Sequence, residues 1–358
     1  MFLPTQNNNN ESREINLGNN VRLEWKYNVN SARSLLTTAH KIAKTESSLV
    51  VFNFFPTSLG TNRVRNFIWS LIPFYLRFYG KRVLMIFHNS VTTTSDWKTL
   101  GYTKIKDLIS ARLYTMIERS LFRATCSVFL LESYKSFIRS KLGLNVLAAP
   151  FKYIDSLTAL LASGNSNLNL IEIAAINNIK TIHMHGNFGP QKDLEFALYV
   201  LSQIAEHGFK FKLYITGSIN SHFPEYKEKF DQLIKRYDSI INEVIMPIHE
   251  SNIFEVFKQT DILLLPYRAS GGRSGVMDLG AFFDLDVIVF NRIEYVEQAS
   301  WYNNIYLINP EDLEKTLLKL LGEPSRKKII NVDKKLQDSL NLMLSLLKRC
   351  IANGKRNE

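Results

Sequence analysis

Cysteine is almost missing from this chain. Cys126 and Cys350 are the only two; they lie far apart in sequence and have no metal-ligand spacing, which excludes a thiolate zinc or iron–sulfur site. Their scarcity fits a reducing compartment, so both are expected as free thiols. Long hydrophobic runs are missing too, and none reaches the roughly 20 residues that span a bilayer as a helix. Residues 1–11 are Asn-rich and lack the basic-then-apolar order of a secretory signal. These absences lead us to expect a soluble, cytoplasmic protein. Neither GxxxxGK[ST] nor GxGxxG occurs, which excludes a Walker P-loop and a dinucleotide fingerprint. Helix-turn-helix, RNP and zinc-finger patterns are also absent. Acidic residues fall short of basic ones, 33 against 44, for a net charge of +11. Such an excess suits a phosphate-bearing small molecule, an anionic lipid surface or nucleic acid, and it also simply keeps a protein soluble. Charge alone does not choose among them.

What is present is enough core for two domains: 358 residues, 46% of them apolar. Short runs of β-branched and aromatic residues alternate with amphipathic stretches, the pattern of βαβ units and a mostly parallel sheet. In the first half we expect strands at 21–27, 48–54, 82–87, 126–131 and 145–148. Helices are expected at 31–44, 62–79, 104–123 and 133–142, the last closed by Gly143. Pro73 argues against one continuous surface helix over 62–79. Residues 151–178 carry no strong strand signal, and 163–167 read as a linker. A second series follows, with strands at 181–185, 210–216, 243–246, 262–266, 287–290 and 306–308. Helices at 192–207, 225–237, 252–259, 276–283 and 310–321 fill its gaps. Leu336, Leu340, Met343 and Leu347 put one apolar stripe on a final helix that should pack back on the body. The fold class is therefore α/β, with two doubly wound domains over 1–160 and 175–330 and a C-terminal helix and tail over 331–358.

Open parallel sheets bind ligands outside the carboxyl ends of their strands. Two loops there carry chemistry. The first, HGNFGPQKDLEFAL, sets Gly186 after a strand and Lys192 at the mouth of a helix. Glycines let backbone amides approach a ligand, and a helix start favours an anion. A lysine–phosphate charge pair at ~4 Å contributes roughly 4 kcal/mol before desolvation. The second, LLLPYRASGGRSGVMDLG, holds Arg268, Ser270, Arg273, Ser274 and Gly275 between a buried strand and a helix. Two guanidinium groups among glycines suit an anion cradle. Asp278, one turn into that helix, either accepts from sugar or ribose hydroxyls or pairs with the helix dipole. His183 and His185 alternate on one strand face but lack a third metal ligand.

Taken in order, HGNFGPQKDLEFAL, FKLYITGS, EVFKQTDILLLPY and SGVMDLGAFFDLDVIVF resemble the C-terminal domain of GT-B glycosyltransferases of the retaining, nucleotide-sugar-dependent family four. The first half is similar in outline, with a strand ending in FHN and the run IERSLFRATCSVFLLESYKSFIRSKLG. The resemblance extends from about residue 49 onward and implies two Rossmann-like domains facing a cleft. It also implies transfer of a sugar from a nucleotide-diphosphate donor to a hydroxyl on a glycan, lipid-linked or protein-linked acceptor, with no cofactor and no metal. By this resemblance Lys192 binds the donor diphosphate, with the turn of Gly186, Asn187 and Gly189 against it. Ser274 and Gly275 offer donors to the phosphates. Thr216, Gly217, Pro247, Ile248 and His249 line the nucleotide pocket. His88 sits beside the transferred sugar as a catalytic candidate, where it holds a sugar hydroxyl or the acceptor or, as a lesser alternative, acts as a general base.

The chain departs from the family at specific positions. Ser270 and Asp278 stand where the family carries two glutamates eight apart. Asn187 and Phe188 occupy the region of an arginine that precedes the phosphate lysine, so Arg268 or Arg273 would have to supply that charge. Asp284-Leu285-Asp286 replaces a GxP. These departures keep open a catalytically inactive relative that acts as a binding or partner subunit. Separately, the run RVRNFIWSLIPFYLRFYGKR mixes arginines with aromatics. It either rests on an anionic membrane or is a buried helix with solvated basic ends.

Overall fold

A computed structural model describes residues 2–5, 14–16, 22–28, 31–54, 63–87, 105–144, 146–149, 170–173, 179–220, 223–248, 250–268, 273–325, 328–332 and parts of 334–348. The chain divides into two compact units, with the break at Ala148/Ala149.

The first unit opens with β1 (Phe2–Thr5), β2 (Glu14–Asn16) and β3 (Arg22–Asn28). They form a small sheet in the order β1-β3-β2. Next come α1 (Ala32–Ala43), β4 (Leu49–Phe54), α2 (Arg63–Phe78), β5 (Arg82–Phe87), α3 (Ile105–Ala124), β6 (Cys126–Phe129), α4 (Glu132–Leu142) and β7 (Leu147–Ala148). Strands β4-β5-β6-β7 pair in parallel in chain order. Local signals set the helix ends. Ser31 caps α1 by accepting from Ser34 N at 3.2 Å. Gly143 ends α4 at φ 64°, a left-handed position that glycine adopts without strain. The core joins Leu35, Phe54, Leu76, Phe87, Leu121 and Phe129, with the Phe87 and Phe129 rings stacked at 5.2 Å. The helix expected at 62–79 is present as α2, which runs unbroken through Pro73. Burial of Ile72 and Leu76 against the sheet offsets the lost backbone bond.

The second unit contains β8 (Leu170–Ile173), β9 (Lys180–Phe188), α5 (Leu194–Glu206), β10 (Phe211–Ile219), α6 (Tyr226–Arg236) and β11 (Glu243–Ile245). After these come α7 (Glu250–Lys258), β12 (Ile262–Leu265), α8 (Gly275–Phe282), β13 (Asp286–Phe290), α9 (Ile293–Ala299), β14 (Ile305–Ile308), α10 (Leu313–Gly322) and β15 (Lys328–Asn331). Six strands pair in parallel in the order β11-β10-β9-β12-β13-β14. This is the doubly wound arrangement, reversing beside β9 and β12. Alternation along the strands splits the core in two. Ile262, Leu264, Ile288 and Phe290 join the layer under α5, α6 and α10. Leu263, Leu265, Val287 and Val289 face α7 and α8.

Two findings differ from the sequence expectations, and a third expectation lies outside the described residues. Residues 170–173, inside the stretch without a strand signal, form β8, which pairs antiparallel with β15 far downstream. The apolar stripe of the final helix lies outside the described residues. Near its start, however, Val332 is buried and Lys335 Nζ donates to the Phe282 carbonyl at 2.8 Å, capping the end of α8. Cys126 is disulfide-bonded, and no described cysteine is free. This overturns the expectation of two free thiols, because distance along the chain says nothing of distance in space, and it removes the cysteines as an argument for a reducing compartment.

Candidate functional site

Strand β9 ends in Gly186-Asn187-Phe188, and the chain turns through 189–193 into α5. Backbone bonds staple this turn to the segment after β12. Asp193 N donates to Pro266 O at 2.7 Å and Arg268 N donates to Gln191 O at 2.9 Å, while Lys192 and Tyr267 form a bridge. The stapling folds the Lys192 side chain back over β9. Its ammonium donates to the His185 carbonyl at 3.1 Å and lies 5.0 Å from the centre of the Phe188 ring and 4.9 Å from that of Tyr267. Among the described residues no carboxylate pairs with it. The residue is only 9% exposed, and burial pushes its pKa down to about 7. Aromatic faces and one carbonyl stabilise the cation, yet a buried charge without a counter-ion remains costly.

The glycines make room for that arrangement. Gly186 has φ 126°, and a Cβ there would collide with Lys192 Nζ. Gly217, at the end of β10, has φ 136°, and a Cβ there would strike the Gly186 carbonyl. Only glycine fits these two adjoining strand ends. Ile248 N donates to Gly217 O at 3.0 Å. The start of α8 approaches from the other side, with Val276 Cγ2 3.7 Å from a Cβ position on Gly186. The structure therefore brings Lys192, Gly186, Gly217, Ile248 and the Gly275 end of α8 into one corner.

Other predicted residues sit differently. Asp278 is wholly buried: its carboxylate pairs with Arg273, accepts from the Tyr302 hydroxyl and lies 3.3 Å from Gln298 Nε2. Asp278 and Arg273 thus satisfy one another inside the protein instead of lining an anion cradle. Ser274 caps α8 by accepting from Met277 N at 3.2 Å, and its own N–H is held by Gln298 Oε1 at 2.9 Å. Arg268 is exposed and reaches Asp193 at 2.5 Å. Asn187 is exposed and accepts from Ser218 Oγ at 2.6 Å. Gly189 lies against Gln191 Oε1. Thr216 is buried between His183 and His185, at 2.8 and 2.7 Å. His88, His249 and Ser270 lie outside the described residues. Among the described residues no group of three His, Cys, Asp or Glu could hold a metal ion.

The sequence did not point to Gln298, Tyr302 or the aromatic walls Phe188 and Tyr267. Only Tyr267 carried a local signal, as an aromatic directly after a strand-ending proline.

Set beside solved structures, this architecture is that of the GT-B glycosyltransferases. Sucrose-phosphate synthase from Thermosynechococcus elongatus superposes with a TM-score of 0.60 at 13% identity, over 100% of this chain and 87% of that one. A trehalose-6-phosphate synthase studied with bisubstrate glycomimetics gives 0.55 at 10% identity, over 100% and 93%. Anabaena HepE in complex with UDP and glucose gives 0.54 at 10%, over 91% and 82%. No family model and no curated protein matches the sequence.

Proposed function

We propose that this chain is a glycosyltransferase that moves a sugar from a nucleotide-diphosphate donor to an acceptor hydroxyl, with retention and without a metal. One observation carries the reading: the buried Lys192 ammonium has no carboxylate partner among the described residues, at a glycine-built turn beside a helix start. A departing nucleoside diphosphate brings the missing negative charge. Lys192 and the amides at the start of α8 would neutralise it as the glycosidic bond breaks. The neighbours support this by analogy. HepE was solved with UDP and glucose, and the trehalose-6-phosphate synthase work concerns glycosyl transfer with retention.

A second reading, an inactive relative that binds nucleotide, is favoured by one observation. Asp278, which stands where the family has a glutamate, is consumed by Arg273, Tyr302 and Gln298 and is closed to a sugar hydroxyl. A screen of nucleotide sugars for nucleoside diphosphate release separates the two. Turnover of at least one donor is expected. Tight binding without turnover selects the inactive relative, and neither binding nor turnover removes both readings.

We further propose that the first unit rests on an anionic membrane, as a lipid-linked acceptor would require. Val64, Leu71 and Phe78, spaced by seven, are exposed along α2, and Phe78 is 87% exposed. On α3, which packs against α2, Ile109, Leu113 and Met116 are exposed among Arg112, Arg119 and Arg123. Apolar side chains interleaved with arginines are suited to a charged lipid interface.

A further inference from the structure

Beside Lys192 lies a chain of four side chains that the proposed phosphate chemistry does not use. Thr260 Oγ1 donates to the Val256 carbonyl at 3.0 Å, spending its one proton. The same oxygen lies 3.3 Å from His183 Nδ1, so it accepts there and Nδ1 carries the hydrogen. Burial, reinforced by neighbouring His185, holds the His183 pKa well below the usual histidine range. A neutral ring protonated at Nδ1 leaves Nε2 bare. Thr216 Oγ1, 2.8 Å away, donates its only proton to that atom. Having spent the proton, Thr216 Oγ1 accepts from His185 Nδ1 at 2.7 Å. Burial first, and the nearby Lys192 charge second, push the His185 pKa down to about 3, so this ring is neutral as well. Proton counting therefore ends on one atom, His185 Nε2, with a bare lone pair.

Among the described residues that atom has no hydrogen-bond partner, and it is not among the buried unsatisfied ones. His185 is only partly buried, its ring braced edge-on against Phe257 at 5.3 Å. Its own carbonyl receives the Lys192 ammonium. The bare lone pair thus belongs to the residue whose own carbonyl meets Lys192, on a ring that neither rotates freely nor takes up a proton at neutral pH.

We infer that His185 Nε2 is a fixed hydrogen-bond acceptor of the binding site, oriented by Thr216, His183 and Thr260, and that it takes a hydroxyl hydrogen from the bound ligand. The ligand half rests on the proposed nucleotide-sugar reading, whose hydroxyl-bearing ribose and sugar supply such donors. The arrangement also gives this site a neutral acceptor where Asp278 is closed off. Thr216, His183 and Thr260 are positioning residues, acting through His185.

Nitrogen-15 spectra of the full chain with labelled histidines test the two halves separately. Both rings should be neutral from pH 6 to 8, with hydrogen on Nδ1 and bare Nε2. Thr216→Val should release the His185 tautomer. Hydrogen on His185 Nε2, or a cationic ring, overturns the assignment without any ligand. With UDP or GDP added as probes, the bare Nε2 signal should move to a hydrogen-bonded value. His185→Phe should weaken binding of the nucleotide about tenfold, while His185→Gln, with an acceptor oxygen near the same place, should retain most of it. If a nucleotide binds but Nε2 does not shift and His185→Phe binds normally, this inference fails and the nucleotide-sugar reading survives. If neither nucleotide binds, the ligand half falls together with that reading.

Discussion

Asp278 and Lys192 are both buried charges, and the protein treats them in opposite ways. Asp278 is saturated by a guanidinium, a phenol and an amide. Lys192 is given two rings and a carbonyl and, among the described residues, no counter-charge. The first arrangement serves folding, because removing one partner strands the other in a dry interior. Asp278→Asn should therefore destabilise the protein by about 3–5 kcal/mol in denaturant titration, by orphaning Arg273. A variant with unchanged stability and lost activity would instead show the carboxylate turning toward the ligand. Sequence reasoning singled out Lys192, because a lysine after a glycine-marked strand end is a local pattern. It could not find the partners of Asp278, since Gln298 and Tyr302 lie on a later part of the chain and nothing in their local sequence announces the pairing.

At the scale of elements, α8 is pressed unusually close to the sheet. A Cβ on Gly280 would approach Leu263 Cδ2 to 2.6 Å and Val287 Cγ2 to 2.7 Å. Glycine inside a helix costs about 1 kcal/mol in propensity, and here close packing explains it. Gly280→Ala should lower stability by about 1–3 kcal/mol through overpacking, despite alanine's better helix propensity. Because α8 begins at the binding corner, nucleotide affinity should fall as well; a more stable variant with normal affinity would contradict the tight-contact account. The strands and helices of the doubly wound core were legible because their periodicities agree with their burial. β8 was not, since among the described residues its four residues gain their pairing from the distant β15. Pro73 does not interrupt the expected helix, because burial outweighs its local preference.

For the whole molecule, the order of strands and glycine turns was readable from sequence, and the solved structures share that fold. The net charge of +11 could not be assigned from composition, as it says nothing of where the charges gather. Under the proposed membrane reading, exposed Arg77, Arg112, Arg119 and Arg123 on α2 and α3 would place part of it at a lipid surface. The chain should co-sediment with anionic lipid vesicles, far less with zwitterionic ones, and release as salt rises. Phe78→Ser should weaken that binding without lowering the melting temperature. Equal binding to both vesicle types, or to neither, would rule out a charged-interface role.

The central claim is that Lys192 waits for a diphosphate, and calorimetric titration of UDP and GDP across pH tests it most directly. Burial sets the lysine near pH 7 in the free protein, against 10.5 for an ordinary lysine, and an anion must raise it again. Binding of one of the two nucleotides should therefore take up a proton above pH 7 and weaken as pH rises. Lys192→Met should bind at least tenfold more weakly, a loss of about 1.4 kcal/mol, with that pH dependence gone. Affinity that is unchanged in the variant, or no binding of either nucleotide to the unaltered protein, would contradict the account.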